Sequence, residues 1–155
     1  MLQIVRALPA DSAALKEIAI LSKGFWGYPQ DLMAQWAHSP IITPQSIAAA
    51  AVYKAVLETA AVGWYRLWDN SKTATLDDLW ILPAFMRQGI GRSLFQHAVT
   101  QARAFGALSI ELDADPNAVP FYERLGCYKF GEKLSEWQRL IPRMRYDLPP
   151  SDDLA

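Results

Sequence analysis

The chain has 155 residues, enough for one domain with one core, and its 15 basic and 16 acidic residues nearly cancel. No run of like charge favours nucleic acid or an anionic membrane as a partner, and no stretch approaches the roughly 20 apolar residues that a membrane helix needs. A single cysteine, Cys127, excludes an internal disulfide, and two histidines without ligand spacing predict no metal site, so we expect a soluble, cytoplasmic protein.

The first 50 residues predict one strand followed by helices. The segment LQIVRA is typical of a strand, and Asp11 precedes the amphipathic segment SAALKEIAILSKG as its N-cap. The aromatic loop FWGYPQ leads into a short helix over DLMAQWAH. Thr43 and Pro44 then mark another helix start, with Thr43 as the N-cap and Pro44 at the first helical position.

From Ala51 the pattern changes to three strand-like segments, AVYKAVLE, AAVGWYRLW and TATLDDLWIL, which predict an antiparallel meander. A helix follows from roughly Gly89 to Phe105, with Gly106 as its C-cap. Its apolar face is predicted to consist of Ile90, Leu94, Phe95, Ala98, Val99 and Ala102.

The last part of the chain predicts a strand over LSIELDA, a short helix over NAVPFYERLG, and strands over CYKFGEK and RMRYDL. The unit of strand, helix and strand from Thr75 to Ala114 requires a parallel pair with a right-handed crossover. We therefore expect one mixed α/β domain over residues 1–148 and a disordered tail over residues 149–155.

The segment FMRQGIGRSLF, residues 85–95, sets two glycines at the start of the crossover helix. A helix N-terminus offers unpaired N–H groups and about half a positive charge, which suits phosphate or pyrophosphate. Arg87 and Arg92 add cations, and Ser93 adds a hydroxyl. An isolated G-x-G is more often only a tight turn, so the wider context must decide.

Two nucleotide-binding motifs fit this segment poorly. A P-loop would need a glycine where Ala84 stands and a lysine after the second glycine. A dinucleotide fingerprint would need a small residue in place of Leu94 and a shorter distance from the strand. Glu111 does fall at about the right distance for a ribose ligand, so a nicotinamide-dependent enzyme remains an alternative.

Two longer runs, LDDLWILPAFMRQGIGRSLF and ELDADPNAVPFYERLGCYKFGE, together resemble the acetyl-CoA binding core of the GNAT superfamily of N-acetyltransferases, over roughly residues 75–132. The family pattern is [RQ]-x-x-G-x-[GA], then a strand, an asparagine and an FYxxLGF-like segment. The front half is similar to a broad bacterial GNAT group with a WGY loop, matched by Trp26, Gly27 and Tyr28. Met86 departs from the pattern, because the family has Arg or Gln there.

The resemblance implies the GNAT fold, a mixed and mostly antiparallel central sheet with splayed parallel strands 4 and 5, flanked by helices. It implies acetyl-CoA as the cofactor, held by the glycine loop and by a strand that typically bulges ahead of that loop. Asn117, which the sequence alone predicts as a helix N-cap, would also contact the cofactor arm. The implied cofactor-binding residues are Leu79, Trp80, Ile81, Arg87, Gln88, Gly89, Ile90, Gly91, Arg92, Ser93 and Asn117.

The implied reaction moves acetyl from acetyl-CoA to an amine by direct transfer in a ternary complex. Such a reaction needs a neutral amine, a stabilised oxyanion and a proton for the departing thiolate. Tyr122 occupies the family position for the proton donor, although its helix alone favours catalysis and packing equally. An acyl-CoA binding or sensing module with little turnover is an alternative function.

A carboxylate is expected to accept the proton of the amine. Period-two alternation puts Asp77 on the same face as Thr75 and Leu79, and we choose Asp77 as the base or as an anchor for the amine. Glu111 and Asp113 are weaker candidates. A solvated carboxylate at a strand start explains Asp77 equally well.

The acceptor is expected to be a small-molecule or peptide amine. Trp26 and Tyr28 fall in the loop that this GNAT group places over the acceptor, and Arg139 could receive an acidic acceptor, although an exposed loop arginine is the simpler interpretation. Trp36 and Trp64 are predicted to pack in the core. The sequence leaves the acceptor's identity and the oligomeric state open, with a homodimer as one alternative.

Overall fold

A seven-stranded mixed sheet forms the centre of the molecule, which the computed structural model describes over residues 1–149. The strand order is β1-β2-β3-β4-β5-β7-β6. Apart from Pro149, the predicted tail lies outside the described residues. The strands are β1 (Leu2–Arg6), β2 (Ala51–Leu57), β3 (Ala60–Asn70), β4 (Thr73–Ile81), β5 (Ser109–Asp113), β6 (Tyr128–Leu134) and β7 (Leu140–Asp147).

Helices cover both faces of the sheet. They are α1 (Ser12–Gly24), α2 (Gln30–His38), α3 (Pro44–Ala49), α4 (Ile90–Phe105) and α5 (Val119–Arg124). One apolar core lies between the sheet and α4, and a second lies on the opposite face against α1 and α3. None of the helices within residues 1–149 has the length and apolar character needed to cross a membrane.

The predicted meander and crossover are confirmed. Strands β2, β3 and β4 pair antiparallel in sequence, and β4 pairs parallel with β5 across the helix α4. All the residues predicted for the apolar face of α4 are buried. Gly106 ends this helix with φ of 85°, and Thr43 caps α3 by accepting a hydrogen bond from the Ser46 N–H at 3.1 Å.

The predicted N-cap at Asn117 is wrong. A 3₁₀ turn, Pro116–Ala118, precedes α5, so the chain begins to coil earlier than the sequence pattern indicated. The carboxylate of Asp115 caps that turn and accepts the Asn117 N–H at 2.8 Å. The amide side chain of Asn117 does not cap the helix and instead donates to Asp115 Oδ1 at 3.0 Å and to the Tyr28 hydroxyl at 3.3 Å.

A β-bulge interrupts β4 at Asp77. Leu67 of β3 lies opposite Leu76, whereas its neighbour Arg66 lies opposite Asp78, so Asp77 is the extra residue. The expected strand bulge therefore occurs before Leu79, not within residues 79–81. The extra residue also reverses the faces of the strand, and the predicted common face of Thr75, Asp77 and Leu79 is wrong.

The parallel strands β4 and β5 pair only at their beginnings. The pairs are Thr73 with Ser109, Ala74 with Ile110 and Thr75 with Glu111. Beyond Thr75, β5 continues its pairing with β7 on its other side. The rest of β4, residues 76–81, has no strand on its β5 side within residues 1–149. The predicted splay of these strands is confirmed.

The open part of β4 rests on β3 at a point where no side chain fits. A Cβ atom at Gly63 would lie 2.7 Å from the Trp80 carbonyl oxygen and 2.8 Å from Ile81 Cδ1. Gly63→Ala is therefore expected to lower the free energy of unfolding by about 1–3 kcal/mol, because β4 must shift to make room. Urea denaturation measures this change.

Gly131→Ala is the matched control, since a Cβ atom there meets no atom of the described residues within 4 Å. Equal unfolding free energies for the two variants would contradict the close packing of β3 on β4.

Candidate active site

The loop between β4 and α4 presents a run of free backbone donors. Arg87 and Gly89 both have left-handed backbone conformations, with φ of 63° and 83°, and α4 begins directly after Gly89. Within residues 1–149, none of the N–H groups of residues 87–92 donates to a backbone acceptor, and the first such bond of the helix is from Ser93 to Gly89. Successive free N–H groups in such a turn form an anion-binding concavity.

The two glycines of this loop are required for different physical reasons. Gly89 needs its freedom of conformation, because its φ is positive, whereas a Cβ atom there would meet no atom of residues 1–149 within 4 Å. Gly91 needs its small size, because a Cβ atom would lie 3.1 Å from ring atoms of Phe121. The group that comes close to Gly91 is therefore the aromatic ring of Phe121, on α5. A larger residue at position 91 would displace this ring.

Two arginines lie at the start of α4. Arg87, Gln88 and Arg92 are exposed, whereas Met86 and Ser93 are half-buried. Among the described residues, neither Arg87 nor Arg92 forms an ion pair. A cleft between α4, the end of α5 and β7 has three arginines in its lining, Arg92, Arg103 and Arg124.

The adjacent carboxylates of Asp77 and Asp78 have opposite environments. Asp77 projects outward, its side chain 51% exposed, and accepts a hydrogen bond from Trp68 Nε1 at 3.2 Å. Asp78 is only 8% exposed and accepts bonds from Arg66 Nε at 2.6 Å and Trp80 Nε1 at 3.0 Å. Burial raises the pKa of Asp78 to about 7, against the opposing effects of Arg66 and Trp80. Sequence alternation alone missed Asp78, because the bulge was not visible in it.

The three predicted base candidates line one cavity where β4 and β5 separate. Glu111 pairs with Arg145 at 2.6 Å, and Asp113 pairs with Arg143 at 3.1 Å. Asp77 lines the same cavity and lies 3.6 Å from the Arg66 guanidinium. The cavity is therefore acidic but largely neutralised by arginines.

Tyr122 lies in the core beside Phe95 and Phe121, on the α5 helix. Burial raises the pKa of its phenol, and Cys127, Asp78 and Asp115 act in the same direction. Burial also raises the pKa of the Cys127 thiol to about 12, so this group stays protonated at neutral pH. The phenol keeps its proton until a strong base comes close to it.

Tyr28 joins the α1–α2 loop to the end of β5. Its hydroxyl donates to the Asp115 carboxylate and accepts from Asn117 Nδ2 at 3.3 Å and Arg139 Nη2 at 3.2 Å. Burial raises the pKa of Tyr28, and its hydrogen bond to Asp115 adds to this effect. Trp26, by contrast, is 41% exposed and makes an edge-to-face contact with Phe25. The structure thus brings Tyr28, Asn117 and Arg139 together.

Sequence reasoning missed Lys23 and Trp137 at this site. The Lys23 ammonium lies 4.6 Å from the Trp137 ring centroid and 5.2 Å from that of Tyr28. Trp36 and Trp80 also face it, at 5.1 and 5.9 Å. Trp36 packs on Trp80, and Trp64 is fully buried, so the predicted packing roles of Trp36 and Trp64 are confirmed. The aromatic density of the FWGYPQ region was the only sequence signal for this cluster.

The buried carboxyl of Asp78 makes stability depend on pH. Its pKa is about 7 in the folded protein and near 3.8 in the unfolded chain, so between these values the folded state retains a proton that the unfolded chain has released. The free energy of unfolding should therefore fall by a few kcal/mol as the pH rises from about 4 to about 7. Asp78→Asn should remove this fall, as measured by urea denaturation across that range.

Asp77→Asn is the matched control, because it keeps Asp78 and should keep the fall. If wild type and Asp78→Asn showed parallel pH profiles, the raised pKa of Asp78 would be wrong.

Comparison with known proteins agrees with this geometry. The model of the acetyltransferase (GNAT) family matches residues 15–127. A protein named uncharacterized N-acetyltransferase ycf52, from Gracilaria tenuistipitata var. liui, is 32% identical over 98 residues, covering 59% of this chain and 54% of the relative. The protein of the same name from Porphyra purpurea is 33% identical over 85 residues, covering 54% of this chain and 49% of the relative. The chain thus spans about half the length of the curated relatives that it matches.

Solved structures share the fold along nearly the whole chain. The PaiA N-acetyltransferase from Thermoplasma acidophilum, in complex with coenzyme A, superposes with a TM-score of 0.78 at 18% identity, covering 95% of this chain and 99% of that one. The ribosomal-protein-S18-alanine N-acetyltransferase from Escherichia coli gives a TM-score of 0.74 at 17% identity, with coverage of 99% and 97%. Since the family match extends over residues 15–127, this chain belongs to the GNAT acetyltransferase family.

Proposed function

We propose that the protein is an N-acetyltransferase that moves acetyl from acetyl-CoA to an amine, by direct transfer in a ternary complex. The observation that carries this proposal is the continuity of two binding features. The open edge of β4, residues 76–81, runs into the free N–H groups of residues 87–92. A peptide-like arm fits the first feature and a diphosphate fits the second, and coenzyme A contains both in that order.

Each part of the cofactor has a matching set of residues. Leu79, Trp80 and Ile81 would offer backbone groups to the pantetheine amides, because an unpaired strand edge requires partners. The segment from Arg87 to Ser93 would hold the diphosphate, through N–H groups and the positive helix end. The arginine-lined cleft of Arg92, Arg103 and Arg124 would attract the remaining phosphate. When bound, acetyl-CoA supplies a thioester carbonyl that an amine can attack.

Tyr122 is the residue that we propose as proton donor to the departing sulfur. Burial raises the pKa of its phenol, so the phenol holds a proton at neutral pH, as a proton donor must. Direct transfer also agrees with the state of Cys127. A thiol with a pKa of about 12 is a poor nucleophile, which argues against an acyl-enzyme on this cysteine.

We propose different roles for the two adjacent carboxyl groups. Asp78, with a pKa near 7, is well tuned to accept a proton from the amine at neutral pH, directly or through one water. Asp77 is exposed and can anchor the ammonium group before transfer. Asn117 would hold the cofactor arm while its amide stays bonded to Asp115. Glu111 and Asp113 are bound by arginines and would act as structural carboxylates.

The acceptor side of the site is formed by the α1–α2 and β6–β7 loops. Tyr28 and Arg139 contact each other there, and we propose that they line the acceptor pocket. Trp26 is 41% exposed, and we propose that it contacts a large acceptor such as a peptide. The free thiol of Cys127 is compatible with a reducing compartment, and we propose the cytoplasm as the location.

The cofactor assignment is tested by thermal unfolding with coenzyme A, acetyl-CoA, NAD, ATP and pantetheine. A ligand at 100 times its dissociation constant adds about 2.7 kcal/mol to the free energy of unfolding. Coenzyme A and acetyl-CoA should both raise the melting temperature, because they alone combine a pantetheine arm with a diphosphate. Preferential stabilisation by NAD would instead support a nicotinamide-dependent enzyme.

The role of Tyr122 is tested by Tyr122→Phe. Loss of the proton donor should reduce kcat by about 100-fold or more, while the affinity for acetyl-CoA changes little. Thiol release gives the rate, and calorimetry gives the affinity. Tyr53→Phe is the control, because Tyr53 lies on β2 and stacks on Tyr65. A proportionate loss of affinity would make Tyr122 a binding residue, and unchanged behaviour would favour an acyl-CoA sensing module.

A further inference from the structure

Four aromatic rings surround the ammonium group of Lys23, which lies in the last turn of α1. They come from four separate parts of the chain: the α1–α2 loop, α2, β4 and the β6–β7 loop. The rings are Tyr28, Trp36, Trp80 and Trp137, with centroids 5.2, 5.1, 5.9 and 4.6 Å from Lys23 Nζ. We call this set the aromatic cage.

Cation–π attraction holds the Lys23 ammonium group in the aromatic cage. Within residues 1–149, the lysine hydrogen bonds and ion pairs are made by Lys54, Lys129 and Lys133, and Lys23 makes none. Asp115 and Glu136 act on its ammonium through their negative charge, and Arg139 opposes them. Aromatic faces backed by carboxylates form a site that is specific for cations.

The cage lies at the mouth of the proposed acetyl-CoA cleft. Trp80 belongs to the part of β4 that has no β5 partner, and its indole donates to Asp78 at 3.0 Å. Tyr28 is bonded to Asp115 and Asn117, which directly follow β5. One edge of the cleft therefore contributes Trp80 to the cage, and the segment after the other edge is hydrogen-bonded to Tyr28.

We propose that the aromatic cage is the acceptor-amine site. It takes a primary ammonium group on an unbranched alkyl chain. The Lys23 side chain fills it when no acceptor is bound. This inference rests on the proposed acetyltransferase function. An unbranched alkylammonium is what the cage already holds, because the Lys23 side chain is itself one.

The cage would also prepare the amine for reaction. Burial among the rings lowers the pKa of Lys23, and it would lower the pKa of an acceptor amine in the same place. The neutral nitrogen forms a bond to the acetyl carbon as the bond from carbon to sulfur breaks. Of the two protons that the ammonium loses overall, one replaces the proton that Tyr122 gives to the sulfur. The other passes to Asp78, directly or through one water, and from there to solvent.

The test uses Lys23→Ala, which removes the atoms of an n-propylammonium ion from the cage. Binding of n-propylamine at neutral pH is followed by tryptophan fluorescence, without acetyl-CoA. We expect Lys23→Ala to bind it at least about tenfold more tightly than wild type does, because the cage is vacated. Lys16→Ala, on the same helix and outside the cage, should behave as wild type.

Two further measurements test whether the binding of n-propylamine depends on the aromatic cage and on the positive charge of the amine. Trp137→Leu in the Lys23→Ala background should abolish the gain, and neutral 1-propanol should not compete for the site. No gain in Lys23→Ala, a gain that survives Trp137→Leu, or equal binding of 1-propanol would overturn the proposal.

Acetyl transfer is then measured in the same variant with acetyl-CoA present. Formation of N-propylacetamide is expected, and its absence while acetyl-CoA is bound would show that the cage is not the acceptor site. If acetyl-CoA itself fails to bind, the proposed function is wrong, whereas the amine titration still reports on the cage by itself.

Discussion

The separation of β4 from β5 is the constraint on which the rest of the site depends. Backbone groups along a strand edge require hydrogen-bond partners. Here the parallel pair stops after Thr75, and within residues 1–149 no strand pairs with the remaining two-thirds of β4 on that side. Beyond that point β5 remains bound to β7, and the chain after β5 turns into α5. The fold thus exposes peptide groups between its two cores, where a ligand with amide groups can complete the sheet.

The bulge at Asp77 connects this opening to the chemistry. One extra residue reverses the faces of β4, so that Leu79 and Ile81 pack towards α4 while Trp80 faces the α1 side. The same reversal exposes Asp77 and buries Asp78 against Arg66 and Trp80. Two identical neighbours in the sequence thereby acquire opposite environments, one exposed and one buried. The pKa of Asp78 rises because burial disfavours its charge more than its partners restore it.

Much of the fold follows from local patterns. The apolar face of α4, the caps at Thr43 and Gly106, and the three-strand meander each depend on periodicity or on a residue with a strong conformational preference. The glycine motif and the family resemblance also located the helix start correctly. Each of these signals lies within a short stretch of the chain, so it can be recognised from the sequence alone.

The remaining features depend on contacts between distant segments. The cluster around Lys23 joins residues of α1 to Trp137, and no spacing rule links them. The faces of Asp77 and Asp78 depend on a bulge that alternation cannot detect. The small size of Gly91 is explained by Phe121, thirty positions further along by the numbering, and not by a phosphate. Such causes become visible only when the tertiary structure is known.

Hydrogen exchange with and without coenzyme A tests the central claim most directly, because it reports on individual backbone N–H groups. Binding in the open cleft should slow exchange of those N–H groups of residues 79–81 that point away from β3, and of the N–H groups of residues 87–92. Within residues 1–149, these groups have no backbone partner in the free protein. The paired N–H groups between β2 and β3 should change little. Protection confined to other segments, with no change in these two, would contradict the account.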